Sequence, residues 1–389
     1  MKSEYRFVQR KGRKYIQVMF ACMPDRWFST ETNDMAKAVR FARSWLHKNG
    51  QGGLFDKNKD ITLNEFAKGF FTAKDPYGFK RRNEQRGYYY SESYYEQKQA
   101  LLEHYILPAH GKLKLASITD VLIENLIYSL CSVRKKADLS NNTKNKVFDV
   151  YSKVLEEARR QGYIDTNPCK AVGQLSNNCQ SREAFTGAEL AKLFPQDTKE
   201  LLRIWHGYMW AVYFLIQYET GWRPGEVAAL QFSNFYPDTN GIYTTSDIDY
   251  KQRLQPRIKT TGKGQPYKVG ILSDRTSALL MQWKSRCRSD FAFIQTNGKF
   301  IGSVGANKHL TSACLRAGVE LYRNGKKRTQ YSFRHSFQSY YIGRIPENAR
   351  LLLMGHTKMR SEYTHIEAQE LLERVASIEG ISHEVERRG

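Results

Sequence analysis

The segment Glu219-Thr220-Gly221-Trp222-Arg223-Pro224-Gly225-Glu226-Val227-Ala228-Ala229-Leu230 joins two helices through a break. Upstream, Leu201 to Tyr218 reads as one strongly apolar helix with Tyr208, Val212, Leu215 and Ile216 in its core. That helix stops at Gly221, and Pro224 opens the next, because proline fits the first helical turn and glycine the end of a helix. Arg223 therefore stands at a helix junction with Glu226 one turn on to hold its guanidinium. An arginine in that position is ordinarily a surface ion pair. Its significance comes from the segments that follow it: Gln330-Tyr331-Ser332-Phe333-Arg334-His335-Ser336-Phe337, then Leu353-Met354-Gly355-His356, then Ser361-Glu362-Tyr363-Thr364-His365.

Outward from this core, the 389 residues suffice for two or three domains. Lys and Arg exceed Asp and Glu by 22, a surplus that repels itself unless an anionic partner shares the surface, and nucleic acid is the expected one. No long uncharged apolar run spans a membrane. The six cysteines lie far apart without a CxxC pair, so they read as reduced thiols with no metal site. Met1 to Arg6 leads into alternating polar and aromatic residues, unlike the apolar core of a secretory signal, so a cytoplasmic protein, nucleoid-associated when bound to DNA, is expected.

Residues 1–55 form a basic module, expected as a hairpin (Arg6–Gln9 and Tyr15–Phe20), a third strand at Trp27–Thr30, and a helix capped by Asn33 or Asp34. Met35, Ala38, Val39, Ala42 and Leu46 are its apolar positions. Its DNA-binding candidates are Arg10, Lys11, Arg13 and Lys14. Gln51-Gly52-Gly53 begins a linker.

Residues 60–175 read as a helical domain, with helices over Thr62–Ala73, Ser91–Leu107, Thr119–Ser129 and Asn142–Gln161. Lys80, Arg81 and Arg82, beside Tyr88 to Tyr90, and Lys144, Lys146 and Lys153 suit a phosphate-contacting face and a solvated bundle surface equally well. After a polar linker, residues 182–389 make the largest domain. Thr186 and Glu189 have capping-box spacing, Tyr243 to Ile271 alternates around Thr260-Thr261-Gly262-Lys263-Gly264 as strands and a basic hairpin would, and helices dominate from Ser273 onward.

The separated segments resemble, in order, the motifs of the tyrosine recombinase (phage integrase) family. That family has an arginine in a TGxRxxE-like turn, a β-hairpin lysine, an HxxRH box, an LGH box and a nucleophilic tyrosine. Arg223 matches the first arginine and Glu226 its acidic partner; Arg334 and His335 match RH; Met354-Gly355-His356 matches LGH; Tyr363-Thr364-His365 resembles the YTH around the nucleophile. Lys263 matches the hairpin lysine, with Lys259 competing. Tyr331 stands where the family usually has histidine, and seven residues separate His356 from Tyr363 where about nine are usual.

The resemblance implies a multidomain, mainly α protein with small β-sheets: a small β-sheet plus helix module, an α-helical core-site DNA-binding domain and an α+β catalytic domain. It also implies a chemistry. The Tyr363 phenol, of ordinary pKa near 10, attacks a phosphodiester to leave a 3′-phosphotyrosine. Arg223 and Arg334 neutralise the phosphate oxygens through paired donors. His356 and Tyr331 hydrogen-bond the phosphate or draw the proton from Tyr363, Lys263 protonates the leaving 5′ oxygen, and His335 supports Arg334 by packing.

The covalent link conserves the bond energy, so neither ATP nor any other cofactor is expected, in keeping with the lack of a GxxxxGK[ST] loop. Expected partners are double-stranded DNA, three further copies in a tetramer on two duplexes, and a DNA-bending or directionality protein. The basic first module favours an integrase of a phage or other mobile element over a chromosome-dimer resolution recombinase. Alternative readings are a catalytically impaired DNA-binding relative and a type IB topoisomerase.

Overall fold

The computed structural model describes residues 5–9, 12–20, 26–45, 61–88, 90–133, 137–176, 183–259, 266–355 and 375. They belong to two units, Met1–Cys179 and Gln180–Gly389.

In the first unit, β1 (Tyr5–Val8), β2 (Gln17–Phe20) and β3 (Phe28–Ser29) form an antiparallel sheet in that order. α1 (Met35–Trp45) follows, and Asp34 Oδ1 accepts from the first-turn amides of Ala36 (2.8 Å) and Lys37 (3.3 Å), the expected cap. Of its expected apolar positions, Ala38 and Ala42 are buried, and Leu46 lies outside the described residues. Met35 is exposed, whereas Phe41, Ala42 and Trp45 meet Val18, Phe20 and Phe28, with Trp45 stacked 3.9 Å from Phe20. The helix turns its wide aromatic surface to the sheet because that buries more apolar area than Met35 would.

A separate core holds the helices of residues 61–176. α2 (Leu63–Ala67) starts on the Thr62/Glu65 capping box and is shorter than expected, giving way to a turn at Gly69 (φ +67°). α3 (Phe79–Gln85) follows. α4 (Glu92–Leu101) widens into a π turn at Leu102–Ile106 before α5 (Leu107–His110). Pro108 explains the widening, since it has no N–H to donate four residues back and its ring crowds that carbonyl. α6 (Asp120–Ser129) and α7 (Asn141–Arg160) complete the bundle, with α8 (Cys169–Val172) after them. The expected apolar side of α7 (Val147, Val150, Tyr151, Val154, Leu155 and Ala158) is wholly buried.

The second unit begins with α9 (Gly187–Leu193) on its Thr186/Glu189 capping box. The single helix expected over Leu201–Tyr218 is two, α10 (Thr198–Trp205) and α11 (Tyr208–Thr220). They are divided at His206 and Gly207, both at positive φ, which an unbroken right-handed helix excludes. α11 is buried along nearly its whole length. After α12 (Pro224–Ala228) comes a three-stranded antiparallel sheet of β4 (Phe235–Tyr236), β5 (Gly241–Thr244) and β8 (Lys268–Ile271).

Between β5 and β8 lies a small hairpin, β6 (Asp247–Ile248) with β7 (Leu254–Gln255), which the sequence reading did not resolve. α13 (Asp274–Lys284) and α14 (Ser303–Ala317) follow. A second unforeseen hairpin pairs β9 (Tyr322–Arg323) with β10 (Lys326–Lys327) across Asn324-Gly325, whose two positive φ angles suit a tight hairpin turn. α15 (Tyr331–Tyr341) and α16 (Glu347–Met354) pack with Val269 and Ile271 of β8 and with Val375, the one described residue of the tail.

Candidate active site

The α11–α12 junction forms as its residue types dictate. Gly221 ends α11 in the left-handed conformation (φ +63°) and donates to Gln217 O at 3.0 Å. A side chain there would also collide with Phe337 of α15, 2.6 Å from an added Cβ. Arg223 caps α12 and Pro224 takes its first turn. Buried Glu226 accepts twice from Arg223, from the backbone N–H (2.8 Å) and from Nη1 (2.7 Å).

Arg334, on the first turns of α15, is 8% exposed. It donates from Nη1 to Gly221 O (2.7 Å) and from Nη2 to Met354 O (2.5 Å). One guanidinium thus joins the helix junction, α15 and the C-terminal end of α16, where Gly355 follows at φ +63°. Three segments that are far apart in sequence meet on it.

The charges explain one another. Burial, with Arg223 adding to it, lowers Arg334 to about 10, while Glu226 and Tyr331 act the other way. Burial would raise Glu226, but Lys268 and then Arg223 together hold it below the usual carboxylate value. Asp247 is pushed up to about 7, by burial first and then by Glu226, against the pull of Arg223 and Lys259. A pair of like-charged guanidinium groups, only partly offset by carboxylates, favours an incoming anion.

Arg223, Glu226, Tyr331 and Arg334 are therefore brought together, with Tyr331 exposed at the start of α15 and His335 half-buried on the same helix. Exposed Lys259 approaches Asp247. Lys263, His356 and Tyr363 lie outside the described residues. Lys268 and Asp247 were not singled out in the sequence. Only the packing brings both into the field of Glu226.

The described DNA-binding candidates are either exposed or held in ion pairs. Arg13, Lys14, Arg81 and Lys146 are exposed. Lys80 pairs with Glu92, Arg82 with Glu157 and Lys153 with Asp149. Lys144 is buried, bonded to Tyr128 O (2.9 Å) and Asp138 (2.7 Å), so it ties α7 to the end of α6. Arg10 and Lys11 lie outside the described residues. Among the described residues no helix is long and apolar enough to cross a membrane.

Residues 78–174 match the family model of the phage integrase SAM-like domain. The structure is similar to the Tn1549 transposon integrase in complex with transposon right end DNA, with TM-score 0.56 and 16% identity over 82% of this chain and 100% of that one. It is similar to a lambda integrase tetramer bound to a Holliday junction, with TM-score 0.56 and 14% identity over 91% and 96% of the two chains. A lambda integrase dimer bound to a COC' core site gives 0.52 and 14% over 95% and 94%. No curated protein matches the chain in sequence. The chain has the fold of the tyrosine recombinase (phage integrase) family. It carries that family's SAM-like domain at residues 78–174.

Proposed function

We propose that this protein is a site-specific DNA recombinase, an integrase of a phage or other mobile element, that cuts and rejoins strands through a 3′-phosphotyrosine. The observation that carries this reading is the gathering of Arg223 and Arg334 at one buried, anion-favouring site by way of Gly221 O and Met354 O. The two guanidinium groups bind the non-bridging oxygens of the scissile phosphate and neutralise the charge that grows as Tyr363 attacks. Glu226 holds Arg223 in place. His356 follows Gly355 directly, at the turn where Met354 O binds Arg334, which suits a donor to the same phosphate. Lys263 or Lys259 supplies the proton to the leaving 5′ oxygen.

Residues 1–55 serve as an arm-type DNA module and 60–175 as the core-site domain, and exposed Arg13, Lys14, Arg81 and Lys146 meet phosphates. The partner is double-stranded DNA in the cytoplasm. The integrases of similar fold, captured as a dimer on a core site and a tetramer on a Holliday junction, support a tetramer on two duplexes here. A nicked suicide duplex tests the reading. The wild type should form covalent protein–DNA, and Tyr363→Phe should abolish it while leaving the gel shift intact. Binding without covalent product in the wild type would favour a non-catalytic DNA-binding protein.

A further inference from the structure

The β9–β10 hairpin buries no apolar face: Tyr322, Arg323, Asn324, Gly325 and Lys327 are exposed and Lys326 is half-buried. A two-stranded hairpin is marginal by itself. What fixes this one is Arg328, directly after β10 and fully buried. Its backbone N–H donates to Leu321 O (2.8 Å), Nη1 pairs with Glu189 (2.7 Å), Nη2 donates to Glu320 O, and the guanidinium stands 4.4 Å from the centre of the Phe185 ring. Beyond it, Thr329 N–H donates to Ser332 Oγ (3.2 Å), and Gln330 donates from its N–H to Asn307 Oδ1 (3.0 Å) and accepts from Tyr213 OH (3.1 Å). A bonded path thus runs from the hairpin to the start of α15, the helix of Tyr331 and Arg334. Over residues 322–327 the hairpin carries Arg323, Lys326 and Lys327 and no acid. Glu183 stands 3.9 Å from Lys326 and Glu189 4.0 Å from Arg323, separations at which exposed pairs contribute little, and Glu189 is already committed to Arg328.

We propose that the β9–β10 hairpin grips the sugar–phosphate backbone of duplex DNA through Arg323, Lys326 and Lys327, close to the phosphate that Arg223 and Arg334 hold. This rests on the recombinase reading and adds to it a contact away from the reacting linkage. Four residues lead from Lys327 to Tyr331, a span of at most about 14 Å. A DNA strand rises about 3.4 Å per nucleotide, so the grip falls within about four nucleotides of the cleaved linkage. Three cations on a strand pair fixed at its base suit a regularly spaced polyanion, and the fixed base lowers the cost of ordering them on binding. The contact is the same before and during strand cleavage, so it strengthens binding and leaves the chemical step alone.

The test uses the full chain and a nicked suicide duplex carrying the site that the wild type selects from a random-sequence library. The double variant Lys326→Ala, Lys327→Ala should lower the log–log salt slope of binding by about two, with the rate of covalent capture at saturating protein unchanged. A methylphosphonate, which removes the charge of one phosphate, is then placed in turn at each nucleotide on either side of the cleaved linkage. Where the hairpin grips, it should lower the wild-type slope by about one and leave the slope of the double variant as it was. A slope equal to wild type, a loss of capture rate at saturation, or a neutral phosphate that weakens variant and wild type alike at every position would each overturn the proposal. A hairpin serving an acidic protein would give the first of these. Should the double variant not fold, Lys327→Gln is read by the same slope, with a fall of about one expected. If the wild type gives no covalent product, the recombinase reading falls on its own. The salt slope on the selected duplex then decides the hairpin, and equal slopes in wild type and variant would refute the grip.

Discussion

Arg334 ties three segments together and, on the proposed function, serves the chemistry as well. Its planar fork reaches Gly221 O and Met354 O in different segments, a span that the single nitrogen of lysine cannot reproduce. Arg334→Lys should therefore slow covalent capture by about a hundredfold or more in single-turnover assays while the gel shift persists. Asp247 makes a separate prediction through pH. Its folded value near 7 lies above its ordinary value of 3.8, so the native state holds a proton that the unfolded chain has released. Stability then falls as pH rises through that interval. Asp247→Asn should leave the melting temperature unchanged near pH 4 and raise it at pH 8, relative to wild type. Equal melting curves at pH 8 would contradict the assignment.

At the scale of elements, the short helix α12 is held by contacts that allow no extra atoms. A Cβ at Gly225 would lie 1.9 Å from Asp247 Oδ1 and 2.5 Å from Ile248 O, so β6 presses directly on the helix backbone. Gly225→Ala should cost about 1–3 kcal/mol in denaturant unfolding and displace Arg223 along with the helix. α9 depends on Glu189, which accepts from Thr186 N–H (2.8 Å) and pairs with fully buried Arg328 (2.7 Å). Although burial opposes it, Arg328 and Thr186 hold Glu189 at about 2, below its ordinary 4.5. Its contribution is complete above pH 4.5 and fades as pH drops through 2, where the folded carboxylate takes its proton. Glu189→Ala, which leaves Arg328 its bond to Glu320 O but removes its carboxylate partner, should lower stability by about 1–3 kcal/mol at pH 7 in urea titrations.

For the whole molecule, the surplus of 22 positive charges, on the proposed function, sets how it would meet DNA. Affinity should fall linearly on a log–log plot against salt, each phosphate contact adding about 0.9 to the slope. Arg81→Ala and Lys146→Ala, on exposed residues, should each reduce that slope by about one in fluorescence anisotropy titrations. Lys144→Ala should leave the slope alone and lower the melting temperature, because its ammonium is spent on Tyr128 O and Asp138.

The sequence by itself determined the features that depend on neighbours along the chain: the Thr186/Glu189 box, the Gly221–Pro224 break, the apolar side of α7, and the order of the arginine-bearing segments. These follow from local sterics, capping and periodicity, which a linear reading contains. It missed the break at His206-Gly207, the pairing of β6 with β7 inside the expected strand region, the β9–β10 hairpin and the part of Phe41 and Trp45 in the packing of α1, where distant packing selects among locally permitted conformations. Only the tertiary structure separated Lys144 from Lys146 and moved Lys268 and Asp247 beside Glu226. Burial and the field of distant charges arise from chain segments that meet only on folding, so no spacing along the sequence encodes them.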